Sequence, residues 1–309
     1  MRPALSVIFF TVSSGAGLGL LVWLVLLSST GFAGGIPTES FLQILATGLG
    51  LTTAGLISST LHLANPRNAW RAFSQFRTSW LSREGVLAVA LYPVAILYGL
   101  LVTIGSAGAL SAGVGLLLAF LAMGVLYCTG MIYACLKTVP RWHTRLVPAA
   151  YVLLGLYSGA LIGLPFIAYR DSPVAPPATF ALVLLATAFI VKAIYFARFR
   201  APVVQHTINS ALTLGKKTIR LLDVGHTHGT FLTDEFCFKL ARGHAVALRL
   251  VSVVLGFVLP LAVLMSGINT PILLTVSGFA CLLGLLAERW LFFAEAEHVV
   301  RLYHGASRV

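Results

Sequence analysis

The segment LSVIFFTVSSGAGLGLLVWLVLLSST, from Leu5 to Thr30, contains no charged residue and is long enough to cross a bilayer as one helix. A helix that crosses about 30 Å of hydrocarbon needs roughly 20 apolar residues. Seven further segments meet this criterion, so the sequence predicts an all-α polytopic integral membrane protein, a single transmembrane domain over residues 1–309. The eight predicted spans are Leu5–Thr30, Phe41–Ala64, Glu84–Ile104, Ala109–Leu136, Leu146–Tyr169, Pro177–Ala197, Ala245–Ser266 and Pro271–Ala296.

The composition supports this class. Hydrophobic residues make up 58% of the chain, charged residues make up 10%, and the mean hydropathy is +0.94. Soluble domains contain roughly 25% charged residues. Most of the mass of this protein is therefore expected to lie inside a bilayer.

The basic residues are distributed unequally between the two sides of the predicted membrane. Of the 21 Lys and Arg residues, 17 fall in the termini and in connections on one side, whereas Arg170 alone falls on the other. Because Lys and Arg mark the cytoplasmic side, we expect both termini to be cytoplasmic, in a bacterial inner membrane. This topology also accounts for the net charge of +12 without a nucleic-acid partner. Lys192, Arg249 and Arg289 lie inside spans near the cytoplasmic end, where their charges can snorkel to the surface.

Motifs for bound metals and nucleotides are missing from the sequence. The four cysteines form no CxxC pair, so we expect no iron–sulfur cluster and no metal site in this chain. The pair His226 and His228 does not by itself make a metal site. The glycine-rich run from Ser14 to Gly19 lies within a span, where small residues favour close helix packing rather than phosphate binding.

The connection Asn65–Arg83 carries aromatic residues at helical spacing. It predicts an interfacial amphipathic helix between the second and third spans, with Trp70 and Trp80 among its anchors. The alternative is a surface helix that serves only as a connector. The longer connection Arg198–His244 mixes both charge signs with Ile, Leu and Phe, and we expect it to be a cytoplasmic surface that docks a partner.

Four ionisable residues are candidates for a quinone site, since ionisable groups at membrane depth are often functional. His62 and Glu84 flank the interfacial helix, and Glu288 and Arg289 reach the same depth about 25 Å along the last span. Quinone chemistry needs hydrogen-bond partners at the ring oxygens and a group that accepts a proton, so we assign these roles to His62 and Glu84. The alternatives are an interfacial histidine bonded to a carbonyl, a favourable charge at a helix N-terminus, and self-pairing of Glu288 with Arg289.

Several segments resemble the membrane-anchor subunits of dimethyl sulfoxide reductase (the DmsC family) and the similar anchor of cytoplasmic sulfite dehydrogenase. They are LHLANP at 61–66, AWRAF at 69–73, LSRE at 81–84, TVPRW at 138–142, EFCFKLARGH at 235–244 and ERW at 288–290. The resemblance implies electron exchange with membrane quinone or quinol (menaquinol or ubiquinone), without haem or an iron–sulfur cluster in this chain. It also implies two partners, an iron–sulfur subunit and a molybdopterin catalytic subunit. The complex would serve respiration, including anaerobic respiration. The histidine and the acidic residue implicated in quinol binding in the family match His62 and Glu84.

Other functions stay open at this point. The chain also fits the anchor of another polysulfide-reductase-like redox complex with a different partner. A secondary transporter typically has broken helices and polar groups near the midplane, whereas the charges here gather at one interface. A haem-binding anchor needs axial ligands on facing helices, and His62 has no obvious second histidine opposite it. The matched segments lie on the predicted cytoplasmic side, which favours a catalytic module that faces the cytoplasm. We therefore favour the anchor of the cytoplasmic sulfite dehydrogenase.

Overall fold

The regular elements of the computed structural model are helices that cross the molecule in alternating directions. The structure describes residues 4–30, 36–61, 65–106, 108–169, 174–199, 207–213, 215, 219 and 241–304. Within these residues, eight helices are long and apolar enough to cross a membrane, which confirms the predicted all-α, eight-span architecture. The helices are α1 Leu5–Thr30, α2 Thr38–Thr60, α3 Trp80–Thr103, α4 Ala109–Ala134, α5 Leu146–Ala168, α6 Ala175–Arg198, α7 (Ala241–Val253, Val254–Val258 and Leu259–Met265) and α8 Pro271–Ala294.

Helix α1 lies at the centre of the bundle. It packs against α2, α4, α5 and α8, and 94% of the residues in its most apolar 18-residue stretch are buried. Its glycines allow the contact: a Cβ added to Gly19 would lie 1.9 Å from the Gly155 carbonyl oxygen, and one added to Gly17 would lie 2.5 Å from that of Gly48. Since van der Waals packing between small residues holds membrane helices together, these glycines are packing residues, as the sequence predicted.

Helix α7 contains a single π-helical turn over Val254–Val258, in which the Leu259 N–H donates to the Val254 carbonyl. Pro260 follows this turn and has no N–H to donate to the Gly256 carbonyl four residues earlier. The Tyr157 hydroxyl of α5 donates to that carbonyl instead, over 2.8 Å. Because an unsatisfied carbonyl is unfavourable in a bilayer, this hydrogen bond fixes α5 against α7.

The interfacial helix is shorter than the sequence predicted. A 3₁₀ helix covers Pro66–Gln75, and α3 then begins at Trp80, four residues before the predicted start at Glu84. The Ser79 side chain causes this early start, because it accepts a hydrogen bond from the Ser82 N–H and so caps the helix. Trp80 therefore belongs to α3 rather than to the interfacial helix, which corrects the prediction.

The interfacial helix is joined to α3 by side-chain contacts. Arg83 of α3 donates hydrogen bonds to the carbonyls of Phe76 and Arg77, over 3.0 and 2.7 Å. The Phe73 ring lies against Gly85, where an added Cβ would be 3.2 Å from it. Trp70 and Phe76 are exposed, as suits aromatic side chains at a membrane interface.

Candidate functional site

Buried charged residues of the spans gather at one end of the bundle, which we call the basic end. There α3 begins at Trp80, α4 ends at Ala134 and α8 ends at Ala294. The connection between α4 and α5, with Lys137, Arg141 and Arg145, lies at the same end. It is the end that the distribution of Lys and Arg predicts to face the cytoplasm.

Glu84 lies one turn inside α3, and its side chain is almost completely buried, at 3% exposure. Its carboxylate accepts a hydrogen bond from the Thr129 hydroxyl of α4. Thr129 is also buried, and its hydroxyl lies 2.9 Å from the Val125 carbonyl one turn earlier. A buried carboxylate with a single hydroxyl partner is incompletely solvated, so Glu84 is not simply a favourable charge at an exposed helix N-terminus.

The two hydrogen-bond contacts of the Thr129 hydroxyl depend on the protonation state of Glu84. A hydroxyl has one proton, so Thr129 cannot donate fully to both the Glu84 carboxylate and the Val125 carbonyl. When Glu84 is protonated, its own O–H can donate to Thr129, and Thr129 then donates to Val125. Each protonation state therefore has a matching hydrogen-bond arrangement, as a group that takes up and releases a proton requires.

A cluster of aromatic side chains fills the basic end next to Thr129. Tyr133 follows Thr129 by one helical turn and therefore lies on the same side of α4. Its ring stacks on Tyr151 of α5, with 5.6 Å between ring centres, and makes edge contacts with Phe292 and Phe293 of α8. We call Tyr133, Trp142, Tyr151, Phe292 and Phe293 the aromatic cluster.

A second buried polar group contacts the aromatic cluster. Glu288 of α8 forms ion pairs with Lys192 of α6 and with Arg289, the latter over 3.3 Å. The three side chains, here called the ion cluster, are 1–4% exposed. The Arg289 guanidinium lies 3.8 Å above the centre of the Tyr151 ring, which adds a cation–π contact.

The ion cluster changes two predictions. Glu288 does pair with its neighbour Arg289, which was the alternative to a direct role at a quinone. Snorkelling of Lys192 and of Arg289 is contradicted, because both side chains are buried beside Glu288 rather than extended to the surface. Sequence reasoning missed this partnership, although a lysine and a glutamate at equal depth in two apolar spans were a reason to expect it.

The aromatic cluster connects Glu84 to the ion cluster. Tyr133 follows Thr129, the partner of Glu84, by one helical turn, and it stacks on Tyr151, which the Arg289 guanidinium covers. The buried polar groups of α3, α4, α5, α6 and α8 thus form one layer at the basic end. Its surroundings are apolar and aromatic, which are the features of a site for a hydrophobic ligand with a few polar anchors.

Comparison with known proteins identifies the family. Residues 1–294 match the family described as DMSO reductase anchor subunit (DmsC). The chain belongs to this family of anchor subunits. A sulfite dehydrogenase subunit from Allochromatium vinosum is 33% identical over 98% of this chain and 99% of the relative. The anaerobic dimethyl sulfoxide reductase chain YnfH of Escherichia coli K12 is 26% identical over 50% of this chain and 56% of its own length.

Other predicted site residues of this anchor subunit have different positions. His62 lies outside the described residues. Trp80 lies one turn before Glu84 on α3, and its ring contacts the Arg83 guanidinium, at 4.3 Å, and the Tyr127 ring, at 5.8 Å. Trp70 is exposed on the interfacial helix. A quinone contact for these three residues, and for Glu288 and Arg289, stays a prediction.

At the surface of the basic end, Glu295 forms a second set of ion pairs. It pairs with Arg141, over 3.2 Å, and with Arg249 of α7, over 2.5 Å. The Arg249 side chain is 44% exposed, in agreement with its predicted snorkelling. These pairs join α7 and α8 to the connection between α4 and α5.

The predicted docking surface of the anchor subunit, Arg198–His244, lies mostly outside the described residues, as do His226 and His228. Its described part includes one helical turn, Ile208–Ala211, which Thr207 caps. Within the part of the chain that the structure covers, no three His, Cys, Asp or Glu side chains are grouped so as to hold a metal ion.

Proposed function

We propose that this anchor subunit exchanges electrons between quinone or quinol in the membrane and an iron–sulfur subunit bound at its basic end. That iron–sulfur protein would connect to a molybdopterin catalytic subunit. The family supports a role as an anchor in such a complex. Similarity along nearly the whole chain to a sulfite dehydrogenase subunit supports a partner of the sulfite-oxidising type over a dimethyl sulfoxide reductase.

The arrangement of Glu84, Thr129 and Val125 carries this proposal. Oxidation of a quinol releases protons together with electrons, so its site needs a group that can accept a proton. Glu84 is buried at the basic end and has a hydrogen-bond arrangement for each protonation state. Proton release toward the cytoplasm would follow from its closeness to that end of α3.

His62 is assigned the second role at the quinone. The sequence places it at the end of the second span, a short distance along the chain from the interfacial helix that contacts α3. Its imidazole would hydrogen-bond one quinone oxygen while Glu84 handles the proton at the ring. Tyr133 is suited to orient Glu84 and the ligand, because it lies one turn beyond Thr129 and packs in the aromatic cluster.

The experiment that tests the site compares two electron donors or acceptors. The variants Glu84→Gln and His62→Ala should each lower quinone-linked turnover about tenfold or more, the low end of the effects of general acid–base groups. Activity with a soluble dye that reacts with the metal-containing subunits should persist. The matched control is Glu39→Gln, which changes an exposed carboxylate in the first turn of α2, at the end of that helix away from His62. Unchanged quinone turnover in an intact complex would remove both residues from the mechanism.

The connection Arg198–His244 is proposed to dock the iron–sulfur subunit beside the interfacial helix. Its mixture of charge and apolar residues supports this role. Deletion of Gly215–Gly229 should release the partner subunits from membranes while the anchor itself stays in place. Copurification of the intact complex after this deletion would contradict the docking assignment.

A further inference from the structure

A groove lies on the outer surface of the bundle between α4 and α5, at the basic end. Its volume is about 1120 Å³, which is more than the roughly 300–1000 Å³ of ordinary small-molecule pockets. Phe120, Met123 and Met131 line it on α4, and Pro148 and Val152 line it on α5. The groove is therefore apolar along most of its length and suits a long hydrophobic ligand.

The groove spans one leaflet of the bilayer. On α4 its lining runs from Phe120, close to the middle of the helix, to Ala134 at the basic end, a distance of about 21 Å at 1.5 Å per residue. Half of the hydrocarbon core is about 15 Å thick, so the groove extends from the midplane to the headgroup region. The acyl chains of a lipid in that leaflet have the same extent.

Apart from Tyr127 on α4, the polar lining residues lie at the headgroup end. His143, Thr144 and Arg145 line the groove there, and no lining residue is acidic. Arg145 is exposed and has no ion-pair partner in the part of the chain that the structure describes. The His143 Nδ1 lies 2.8 Å from the Ala134 carbonyl, which can only accept, so Nδ1 donates and Nε2 is left as an acceptor for a headgroup hydroxyl.

The groove is distinct from the site at Glu84. Tyr127 lines the groove, whereas Thr129 points toward Glu84, and two residues along a helix correspond to a rotation of about 200°. Thr129 and Glu84 are therefore on the opposite side of α4. An occupant of the groove would not compete for the carboxylate.

We propose that this groove is a binding site for an anionic phospholipid. Its acyl chains would lie along α4 and α5, its phosphate would contact Arg145, and a headgroup hydroxyl could donate to His143. Basic pockets between membrane helices on the cytoplasmic side bind anionic headgroups, and each nearby cation contributes to the attraction. The flexible Met123 and Met131 side chains can adapt to chains of different shape. The proposal does not depend on the quinone function.

The test measures lipid that stays bound to the full chain, with any subunits that copurify, in nanodiscs of phosphatidylcholine with a minor share of phosphatidylglycerol. After extraction from the nanodiscs, native mass spectrometry identifies the retained lipid. Phosphatidylglycerol should be enriched over its share of the bilayer, and Arg145→Gln should reduce its retention about fivefold, as expected for losing one cation near an anionic headgroup. Lys137→Gln is the matched control, because Lys137 is exposed on the same connection but does not line the groove.

A second variant separates the groove from surface charge alone. Ala149 lines the groove on α5, so Ala149→Trp should fill it and lower the retention of phosphatidylglycerol without changing any charge. Equal retention in Arg145→Gln and Lys137→Gln would overturn the proposal. The proposal would also be overturned if phosphatidylcholine were retained in proportion to its share of the bilayer, or if the retained molecule were quinone. If Ala149→Trp does not fold, the comparison of the two charge variants decides.

Discussion

Lys192 of α6 and Glu288 of α8 form an ion pair in which the two side chains are only 4% and 1% exposed. Arg289 lies 3.3 Å from the second oxygen of the same carboxylate. The ion cluster thus contains two cations and one carboxylate. Its members are not equivalent, because loss of the carboxylate leaves two buried cations whereas loss of the lysine leaves one balanced pair.

The first prediction follows from this inequality. Glu288→Gln should lower the free energy of unfolding by about 3 kcal/mol or more, the range for removing one partner of a buried ion pair. Lys192→Met should lower it less, since Arg289 still neutralises Glu288. Unfolding of the purified protein in mixed detergent measures both. Lys137→Met, an exposed control at the same end, should have almost no effect. Equal losses for Glu288→Gln and Lys192→Met would contradict this account.

The second prediction concerns the hydroxyl that partners Glu84. Thr129→Val keeps the shape of the side chain but removes the hydroxyl, so quinone-linked turnover should fall about tenfold or more, as expected for a hydrogen bond to a charged group worth about 1.5–3 kcal/mol. Thr129→Ser retains the hydroxyl and should retain the rate. The pH dependence of turnover should shift for valine and not for serine. A rate and pH profile of the valine variant equal to those of the wild type would exclude Thr129 as a positioning residue.

The third prediction contrasts two glycines. In Gly19→Ala, the new Cβ would meet the Gly155 carbonyl oxygen at 1.9 Å, so α1 and α5 must move apart, at a cost of about 1–3 kcal/mol. Gly50 in α2 has open space around it, and Gly50→Ala should be neutral or stabilising by up to about 1 kcal/mol, since alanine favours helix over glycine. Thermal denaturation of the two variants measures the difference. The same melting temperature for both would show that α1 is packed less tightly than described.

The fourth prediction tests why Tyr157 bonds to Gly256. Tyr157→Phe should destabilise the protein by about 1–2 kcal/mol, the range for hydrogen bonds between membrane helices. In a Pro260→Ala background the new N–H can donate to the Gly256 carbonyl, so the same change should be less harmful. A double-mutant cycle of unfolding free energies measures this coupling. Additive effects of the two substitutions would contradict the explanation that Tyr157 replaces the N–H of residue 260 as the donor to the Gly256 carbonyl.

The fifth prediction tests the topology. A cysteine placed at Ser307 should be protected from an impermeant thiol reagent in intact cells, because the positive side of the chain is expected to face the cytoplasm. A cysteine at Ser172, in the connection after the fifth span, should be labelled. A background in which Cys135, which is exposed, and Cys237 are replaced avoids unwanted reaction. Labelling of the residue 307 variant in intact cells would reverse the assigned sides.

The sequence was sufficient for the architecture of this anchor subunit. The bilayer sets the length of an apolar stretch, so the spans Leu5–Thr30 and Ala109–Leu136 were predicted within two residues of the helices found. The start of α3 differs from the prediction, because a charged residue such as Glu84 indicates the end of an apolar span, whereas Ser79 caps the helix one turn earlier. Glu84 is a candidate site residue from the sequence because a carboxylate in an apolar span is rare, and its role at a quinone stays a prediction.

Lateral packing was decided by the tertiary structure alone. Helices that are apolar on all sides carry little information on which face meets which neighbour, so the central position of α1 was not visible in its sequence. In the same way, Thr129 was one hydroxyl among many until α3 and α4 brought it to Glu84. From the sequence alone, Lys192 could snorkel to the surface. Its ion pair with Glu288 forms only because α6 packs beside α8. The bilayer dictates the length and sides of each span, whereas close packing between distant helices dictates the partners of its polar groups.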